Sequence, residues 1–286
     1  MAISRAQLAK ELEPGLNALF GLEYDRYENE HSAIFDEESS DRAFEEEVML
    51  SGFSTAPVKQ EGSSISFDSA QETYTARYTH ETVALAFSIT EEAIEDNLYD
   101  RLASRYTKAL ARSMSTTKQI KAASILNNAF STGANAIGDG AALCSSSHPS
   151  VSGNQRNLLS TAADLNETSL EQMLIDIAGM TDERGLKIAV RGTKLIIPKE
   201  LQFIAERVIN SALRPGTADN DLNATKSMGM LPEGATVNHY LTDTDAFFIK
   251  TAMEGDFDTG NMRFKARERY SFGVSDWRCV FGTPGA

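Results

Sequence analysis

One stretch of the chain decides how the rest is interpreted: it reads TEEAIEDNLYDRLASRYTKALARSMSTTKQIKAASILNNAFSTG, from Thr90 to Gly133. No proline and no earlier glycine interrupts it, and apolar side chains recur at every fourth residue. These are Ile94, Leu98, Leu102, Tyr106, Leu110 and Met114. Acidic residues fill the first turns and basic residues the later ones, which suits the dipole of a helix. The stretch predicts a helix of up to about 40 residues, or about 60 Å, with a winding apolar stripe that contacts more than one surface.

Beyond this helix, helical and strand patterns alternate. A loop rich in glycine, serine and asparagine runs from Gly133 to about Ser160, and further helices begin near Thr168 and after Pro198. Buried strands are predicted at 188–190, 195–197, 236–241 and 246–250. This order indicates a mixed α/β part. The polar loop that begins near Arg214 is of the kind that binds a partner or moves.

Residues 51–89 lie before the helix and have the pattern of extended chain. Strand-forming residues fill 73–79, and large apolar residues alternate with small or polar ones at 82–89. The segment predicts a long hairpin with a polar tip near 58–70. Because an isolated hairpin is at best marginally stable in water, one of this length needs a surface to lie on.

The net charge is concentrated at the N-terminus. The whole chain has 27 basic and 41 acidic residues, a net charge of −14, which opposes tight general binding to nucleic acid. Residues 1–50 hold four basic and thirteen acidic residues and so account for −9 of it, with a cluster at Glu45, Glu46 and Glu47. The segment is either a solvated surface or, because apolar residues recur through it, an arm that lies along a partner.

A basic strand precedes the C-terminus. Met262, Phe264 and Ala266 alternate there with four cations. The cations are Arg263, Lys265, Arg267 and Arg269. Three interpretations remain open: an edge strand protected by charge, an ion-pair partner for another subunit, or a contact with DNA phosphates.

The sequence contains no motif that predicts an enzyme. Glycine-rich phosphate loops, nucleophile elbows and paired metal-binding histidines are absent, and the four histidines are at least 49 residues apart. We therefore predict no catalytic, cofactor-binding or metal-binding residues, and ordinary surface or hydrogen-bonded histidines. Cys144 and Cys279 are expected to be reduced thiols of a cytosolic chain, without a membrane span or signal peptide.

Several motifs, spread in order over nearly the whole chain, resemble those of a known family. They are LEPGLNALFG at 12–21, SSDRAFEEE at 39–47, APVKQEG at 56–62, FSITEE at 87–92, FKARERYSFG at 264–273 and DWR at 276–278. Together they resemble the major capsid proteins of tailed bacteriophages, close to the Mu-like major head subunit. The specificity of this resemblance comes from its length and collinearity.

The resemblance implies an α+β chain with the tailed-phage major capsid fold, which encapsulins and the herpesvirus capsid floor share. It implies four parts that fit the patterns above. These are an N-terminal arm at 1–50, an extended hairpin loop at 51–89, a peripheral domain with a spine helix at 90–134 and 245–286, and an axial domain at 135–244. In such a fold the arm and the hairpin are stabilised by neighbouring subunits.

The implied function is self-assembly, as pentamers and hexamers, into an icosahedral virion shell around double-stranded DNA, in the host cytoplasm. Expected partners are a scaffolding protein, a portal, a maturation protease, weakly held DNA and a decoration protein, with no membrane. Inter-subunit contacts are predicted for Glu45, Glu46, Glu47, Lys59, Arg214, Arg263, Lys265, Arg267 and Arg269. In particular, we expect the acidic arm to meet the basic strand, or the basic residues of the spine helix, on an adjacent subunit.

Two alternatives belong to other classes of protein. An encapsulin-type nanocompartment resembles the same fold but encloses cargo enzymes, so the content of purified particles would distinguish it. An enzyme built on the α/β part would need a clustered polar pocket and would be found as a monomer.

Overall fold

The computed structural model describes residues 19–27, 29–87, 99–132, 137–214, 221–252 and 267–286. The strands are β1 (Phe44–Leu50), β2 (Glu72–Thr79), β3 (Glu81–Ala84), β4 (Gly192–Ile197), β5 (Ala235–Val237), β6 (Phe247–Thr251), β7 (Arg267–Tyr270) and β8 (Val280–Thr283). The α-helices are α1 (Tyr99–Asn127), α2 (Glu167–Ala178), α3 (Gln202–Asn210) and α4 (Ala224–Ser227). Short 3₁₀ turns lie at Glu30–Ala33, Lys199–Leu201 and Trp277–Cys279, and residues 19–24 are helical.

Helix α1 is the long helix that the sequence predicts. Its 29 residues span about 44 Å at 1.5 Å per residue, and the predicted first turns at 90–98 lie outside the described residues. The buried face differs from the predicted stripe. Met114 is buried as expected, but Tyr106 is 51% exposed, and the buried face continues through Ala122 and Leu126. Alanines on this face allow neighbouring elements to come close to the helix. In the described ranges, no helix combines the length and apolarity that a membrane span requires.

The core lies around a four-stranded sheet of order β5-β4-β6-β8. Strand β4 pairs in parallel with β5 and antiparallel with β6, and β6 pairs antiparallel with β8. Leu195, Ile196 and Ile197 of β4 are all buried, as expected for a strand covered on both faces. Helix α2 contributes one buried face to the same core. Asn166 caps its N-terminus and forms a capping box with Ser169.

Two strands of this sheet come from the C-terminal part that the sequence analysis assigned to the peripheral domain. Strands β6 and β8 lie in one sheet with β4, which belongs to the predicted axial part. One sheet therefore crosses the predicted boundary between the two domains, because strand pairing joins segments that are distant along the chain. The division at 244/245 itself stays a prediction.

The hairpin also differs from its predicted boundaries. Its first strand is β1, which pairs antiparallel with β2 from Phe44 opposite Thr79 to Leu50 opposite Glu72. The sequence analysis placed β1 in the arm because three glutamates lie in it, but an exposed two-stranded ribbon holds charged side chains in solvent at little cost. The predicted second limb of the hairpin is shorter than expected: β3 ends at Ala84 and pairs with β7, outside the hairpin.

Candidate subunit interface

The loop that joins β1 to β2 carries large apolar side chains that no part of the described chain covers. Phe53 is 61% exposed and Ile65 68%, and Val58 and Phe67 reach 95% and 97%. Scattered apolar side chains are normal on a protein surface, but a group of them at the end of a projecting loop indicates a contact site. These residues were not predicted as a contact site, because the serines around Glu61 and Gly62 give the tip a polar composition.

Asp68 ties the two limbs of this loop together below the tip. Its Oδ2 accepts hydrogen bonds from the backbone N–H of Ser54 at 2.7 Å and from the Ser54 hydroxyl at 2.5 Å. Its Oδ1 accepts from the N–H of Ser69 at 2.8 Å. These bonds, first of all the one from the Ser54 hydroxyl, lower the pKa of Asp68 from 3.8 to about 2. The loop is thus closed by a carboxylate that remains charged in mild acid.

The pH dependence of this tie follows from the direction of the shift. A lowered pKa means that the folded loop favours the charged carboxylate, so the tie is complete above pH 3.8 and is lost as the pH falls towards 2. We expect the NMR signal of the Ser54 amide to stay constant from pH 7 to about 4.5 and to change only below that range. Asp68→Asn should give the low-pH signal at every pH. A midpoint above pH 5 would contradict the assignment.

The base of the hairpin is seated against the body at two glycines. A Cβ on Gly273 would lie 1.9 Å from the ring of Tyr78, and one on Gly138 would lie 2.3 Å from the backbone oxygen of Thr75. Both contacts are far shorter than van der Waals distance, so β2 approaches closer than any side chain allows. Tyr78 and Ala76 of β2 are buried there. The hairpin therefore projects from a fixed base.

The described part of the acidic arm contacts its own chain, along helix α1 and the sheet. Glu23 lies 2.9 Å from Nζ of Lys108, whose hydrogen bond lowers the pKa of that carboxyl. The carboxylate of Glu30 accepts from both the backbone N–H and the ring Nδ1 of His239, at 2.8 and 2.7 Å. The spine helix was one of the predicted targets of the arm, but Lys108 belongs to the same subunit.

Further contacts hold the segment that follows, from 29 to 37, across the body. The N–H of His31 donates to Oε1 of Gln119 on α1 at 3.0 Å, and Nζ of Lys194 on β4 donates to the backbone oxygen of Ala33 at 2.7 Å. Lys250 on β6 lies 3.6 Å from Asp36. The segment joins α1 to the sheet within one subunit. These contacts within the subunit were not predicted, because charge composition does not distinguish a subunit's own surface from that of its neighbour.

Predicted contact residues lie on the hairpin and on the polar loop that begins near Arg214, which we call the axial loop. Glu45 pairs with Arg42 at 3.5 Å, and Glu46 with Arg77 of the facing strand at 3.6 Å, both at the surface. Glu47 lies on the same strand, half buried and with interactions of its own. Lys59 is exposed and forms no ion pair within the described ranges. Nε of Arg214 donates to Oε2 of the buried Glu167, at 2.9 Å, which ties the axial loop to the first turn of α2.

The basic strand is described only at its end. Arg263 and Lys265 lie outside the described residues, as does the side chain of Arg267. The exposed Arg269 donates from Nη2 to the backbone oxygen of Ala43 at 3.4 Å, next to the start of β1. Inter-subunit roles for this strand remain predictions.

A network of buried polar and charged side chains lies in the body, on the side that carries the hairpin. It was not predicted from the sequence. Arg278 is 2% exposed; its guanidinium lies 2.8 Å from Glu183 and 3.2 Å from Asp276. The same guanidinium lies over the ring of Trp277 at 4.2 Å, and the ring of His148 stacks parallel to that ring at 4.3 Å. A buried charge is tolerated only when it is paired in this way. In the sequence, the motif DWR was noted only because it resembles a motif of the capsid family, and no buried network was predicted from it.

The network shows how histidine is used in this chain. His148 is buried, with Nδ1 at 2.6 Å from Asp139 and Nε2 at 3.0 Å from Oδ1 of Asn157. The amide nitrogen of Asn157 donates to backbone oxygens, so its Oδ1 accepts the hydrogen bond from Nε2 of His148. His148 is therefore a hydrogen-bonded core residue.

The described residues contain no group of three or more histidine, cysteine, aspartate or glutamate side chains placed to hold a metal ion. Cys144 and Cys279 are buried free thiols. Burial raises the pKa of both, that of Cys279 to about 12, so neither is a reactive thiolate at neutral pH.

Comparison with known proteins identifies a family and a fold for the chain. A family model described as "Phage capsid protein" matches residues 73–282. The capsid of bacteriophage JBD30 superposes with a TM-score of 0.56 at 12% identity, over 74% of this chain and 90% of that one. The capsid of an empty GTA particle gives 0.54 at 11%, over 90% of both chains. The JBD30 procapsid gives 0.53 at 14%, over 83% of this chain and 99% of that one.

At such low identities these structures establish the fold, which is that of tailed-phage major capsid proteins. No curated protein matches the sequence. The fold predicted from the motifs is thereby confirmed.

Proposed function

Because the chain belongs to the phage capsid protein family, we propose that its projecting hairpin joins neighbouring copies into a closed shell. Family membership makes the chain a structural subunit of a phage head. The observation that supports the role of the hairpin is its tip, where Val58 and Phe67 are almost fully exposed in the single chain. Symmetry repeats each such contact around the shell, so individually modest contacts add up to a stable particle.

The division into arm (1–50), hairpin (51–89), peripheral domain (90–134 and 245–286) and axial domain (135–244) is part of this proposal, with β1 added as the first strand of the hairpin. Exposed apolar residues beside the axial loop, such as Leu213 at 47% and Leu222 at 64%, support a second contact around each symmetry axis.

The finer identity is also a proposal. We place the chain near the Mu-like branch, with pentamers and hexamers that enclose double-stranded DNA and assemble in the host cytoplasm. A separate scaffolding protein, a portal and a maturation protease would act during assembly. The JBD30 capsid carries trimers of a minor capsid protein, which supports the expectation of a decoration protein here.

The other function classes have less support. The encapsulin alternative is not favoured, because the matching family model is that of phage capsid proteins. We propose that the chain has no catalytic activity, in keeping with the structural role that the family implies.

Electron microscopy of the purified full-length chain tests the proposal. We expect closed shells or rings of five and six subunits, and shells isolated from infected cells should contain double-stranded DNA. Shells from infected cells that contain a host enzyme and no DNA would favour an encapsulin. A monomer at all protein and salt concentrations, with scaffolding protein present, would overturn the proposal.

A further inference from the structure

A tight turn at 181–187 lies between the buried polar network and the hairpin. Oδ1 of Asp182 accepts hydrogen bonds from the N–H groups of Arg184 and Leu186, both at 2.8 Å. The N–H of Asp182 donates to the oxygen of Leu186, also at 2.8 Å, and Gly185 has a φ of +84°. An aspartate that closes its own turn, followed by a glycine in the left-handed region, gives the turn a defined shape.

The turn is anchored from below by the buried arginine. Nε of Arg278 donates to the backbone oxygen of Thr181 at 2.9 Å, and Nη2 lies 2.8 Å from the carboxylate of Glu183, which is 2% exposed. Gln155 adds a bond from its side-chain amide to the backbone oxygen of Asp182 at 2.7 Å. The first three residues of the turn, Thr181, Asp182 and Glu183, are therefore all bonded to side chains of the body, which restrains the turn.

Arg184, at the apex, connects this anchored turn to the hairpin. Its Nη2 donates to the backbone oxygen of Ser69 at 2.6 Å, across 115 positions of sequence. Its positive charge also contributes to the lowered pKa of Asp68. Its Nε is buried and has no hydrogen-bond partner among the described residues, so this side of the guanidinium is shielded from solvent at the contact.

Asp68 extends the effect of this contact to both limbs of the loop. Ser69 and Asp68 lie on the descending limb, and Asp68 holds Ser54 on the ascending limb. A single bond from Arg184 therefore restrains the whole cross-section of the hairpin, between its base at β1 and β2 and its apolar tip.

We infer that the 181–187 turn is a bracket that fixes the direction of the hairpin in the free subunit. The inference rests on the proposed role of the hairpin in joining copies, and it adds a positioning residue, Arg184, that has no need to touch the neighbouring subunit. A hairpin held in its contact direction loses less conformational entropy when the next copy binds, so assembly is faster.

Hydrogen–deuterium exchange on the unassembled full-length chain tests the bracket. With Arg184→Gln, the loop amides that are hydrogen-bonded across the two limbs or beside Asp68, those of Ser54, Ser69 and Gln71, should exchange about fivefold faster, since a bond from a charged donor is lost. Lys187→Gln is the matched control, because it removes the same charge from the exposed end of the same turn. Arg184→Lys should restore only part of the protection, as lysine lacks the planar guanidinium.

The assembly rate, followed by light scattering, is the second measurement. We expect it to fall about fivefold for Arg184→Gln and to stay unchanged for Lys187→Gln. Unchanged exchange in Arg184→Gln would overturn the bracket, and so would faster exchange with a normal assembly rate. If even the unsubstituted chain forms no shells, the proposed function fails, while the exchange comparison still decides whether the turn restrains the hairpin.

Discussion

Chains with Val58, Ile65 and Phe67 replaced by serine are expected to fold normally but to form at least tenfold fewer shells. Burying a large apolar side chain contributes about 1.5–3 kcal/mol, and these three are 95%, 68% and 97% exposed in the single chain. No described residue of the same chain buries them, so a contact with another copy can supply this burial. Removing it at every symmetry-related contact weakens the shell many times over, whereas the subunit loses almost nothing.

Sedimentation of the assembled fraction measures this effect, and thermal unfolding of the unassembled chain shows that the fold is intact. The matched control is the polar double substitution Gln60→Ser and Glu61→Ser, which changes exposed positions of the same loop without removing apolar surface. We expect that control to assemble normally. Equal shell yields from the apolar and the polar variants would contradict a role for the tip in subunit contact.

The elements that could be predicted from sequence are those set by local pattern. The long helix follows from an apolar repeat without glycine or proline, and α2 begins at 167, within two residues of its predicted start. The presence of a hairpin was also predictable, because strand-forming residues surround a polar loop. In each case the information lies within about 40 neighbouring residues.

Pairing between distant segments could not be predicted in the same way. The three glutamates of β1 suggested a solvated arm, although this strand forms half of the hairpin and Glu46 pairs with Arg77 of β2. Strand β8 lies in the same sheet as β4, which begins almost 90 residues earlier in the chain. Residue type shows that a charge needs a partner, but only the folded chain shows which one.

The candidate interface was missed for a related reason. The exposure of Val58 and Phe67 follows from how far the hairpin projects, which the serine-rich composition of the tip does not reveal. Arg184 gave no signal in the sequence because its function depends on a backbone oxygen 115 residues away. Because this contact is made to the backbone, position 69 does not need a particular side chain, and the sequence there gives no sign of it.

Asn157 is the residue at which substitution should destabilise the subunit most. It is fully buried, and its side-chain nitrogen donates to the backbone oxygens of Leu143, Trp277 and Val280 at 2.7, 3.0 and 2.9 Å. Its Oδ1 accepts from the N–H of Ser145 at 2.8 Å and from His148. One amide thus joins the loop after α1 to the C-terminal segment that enters β8.

With Asn157→Asp the shape is kept, but an oxygen then faces three buried backbone oxygens. Each unsatisfied buried group costs about 1–3 kcal/mol, so the free energy of unfolding should fall by about 3–5 kcal/mol, and the melting temperature by about 10 °C. Denaturant unfolding of the unassembled chain measures the loss. Asn154→Asp is the matched control: it is exposed in the same loop, and its side-chain amide bonds the hydroxyl of Ser147. A loss below about 1 kcal/mol for Asn157→Asp, or an equal loss for Asn154→Asp, would show that the loop and the C-terminal segment do not depend on this amide.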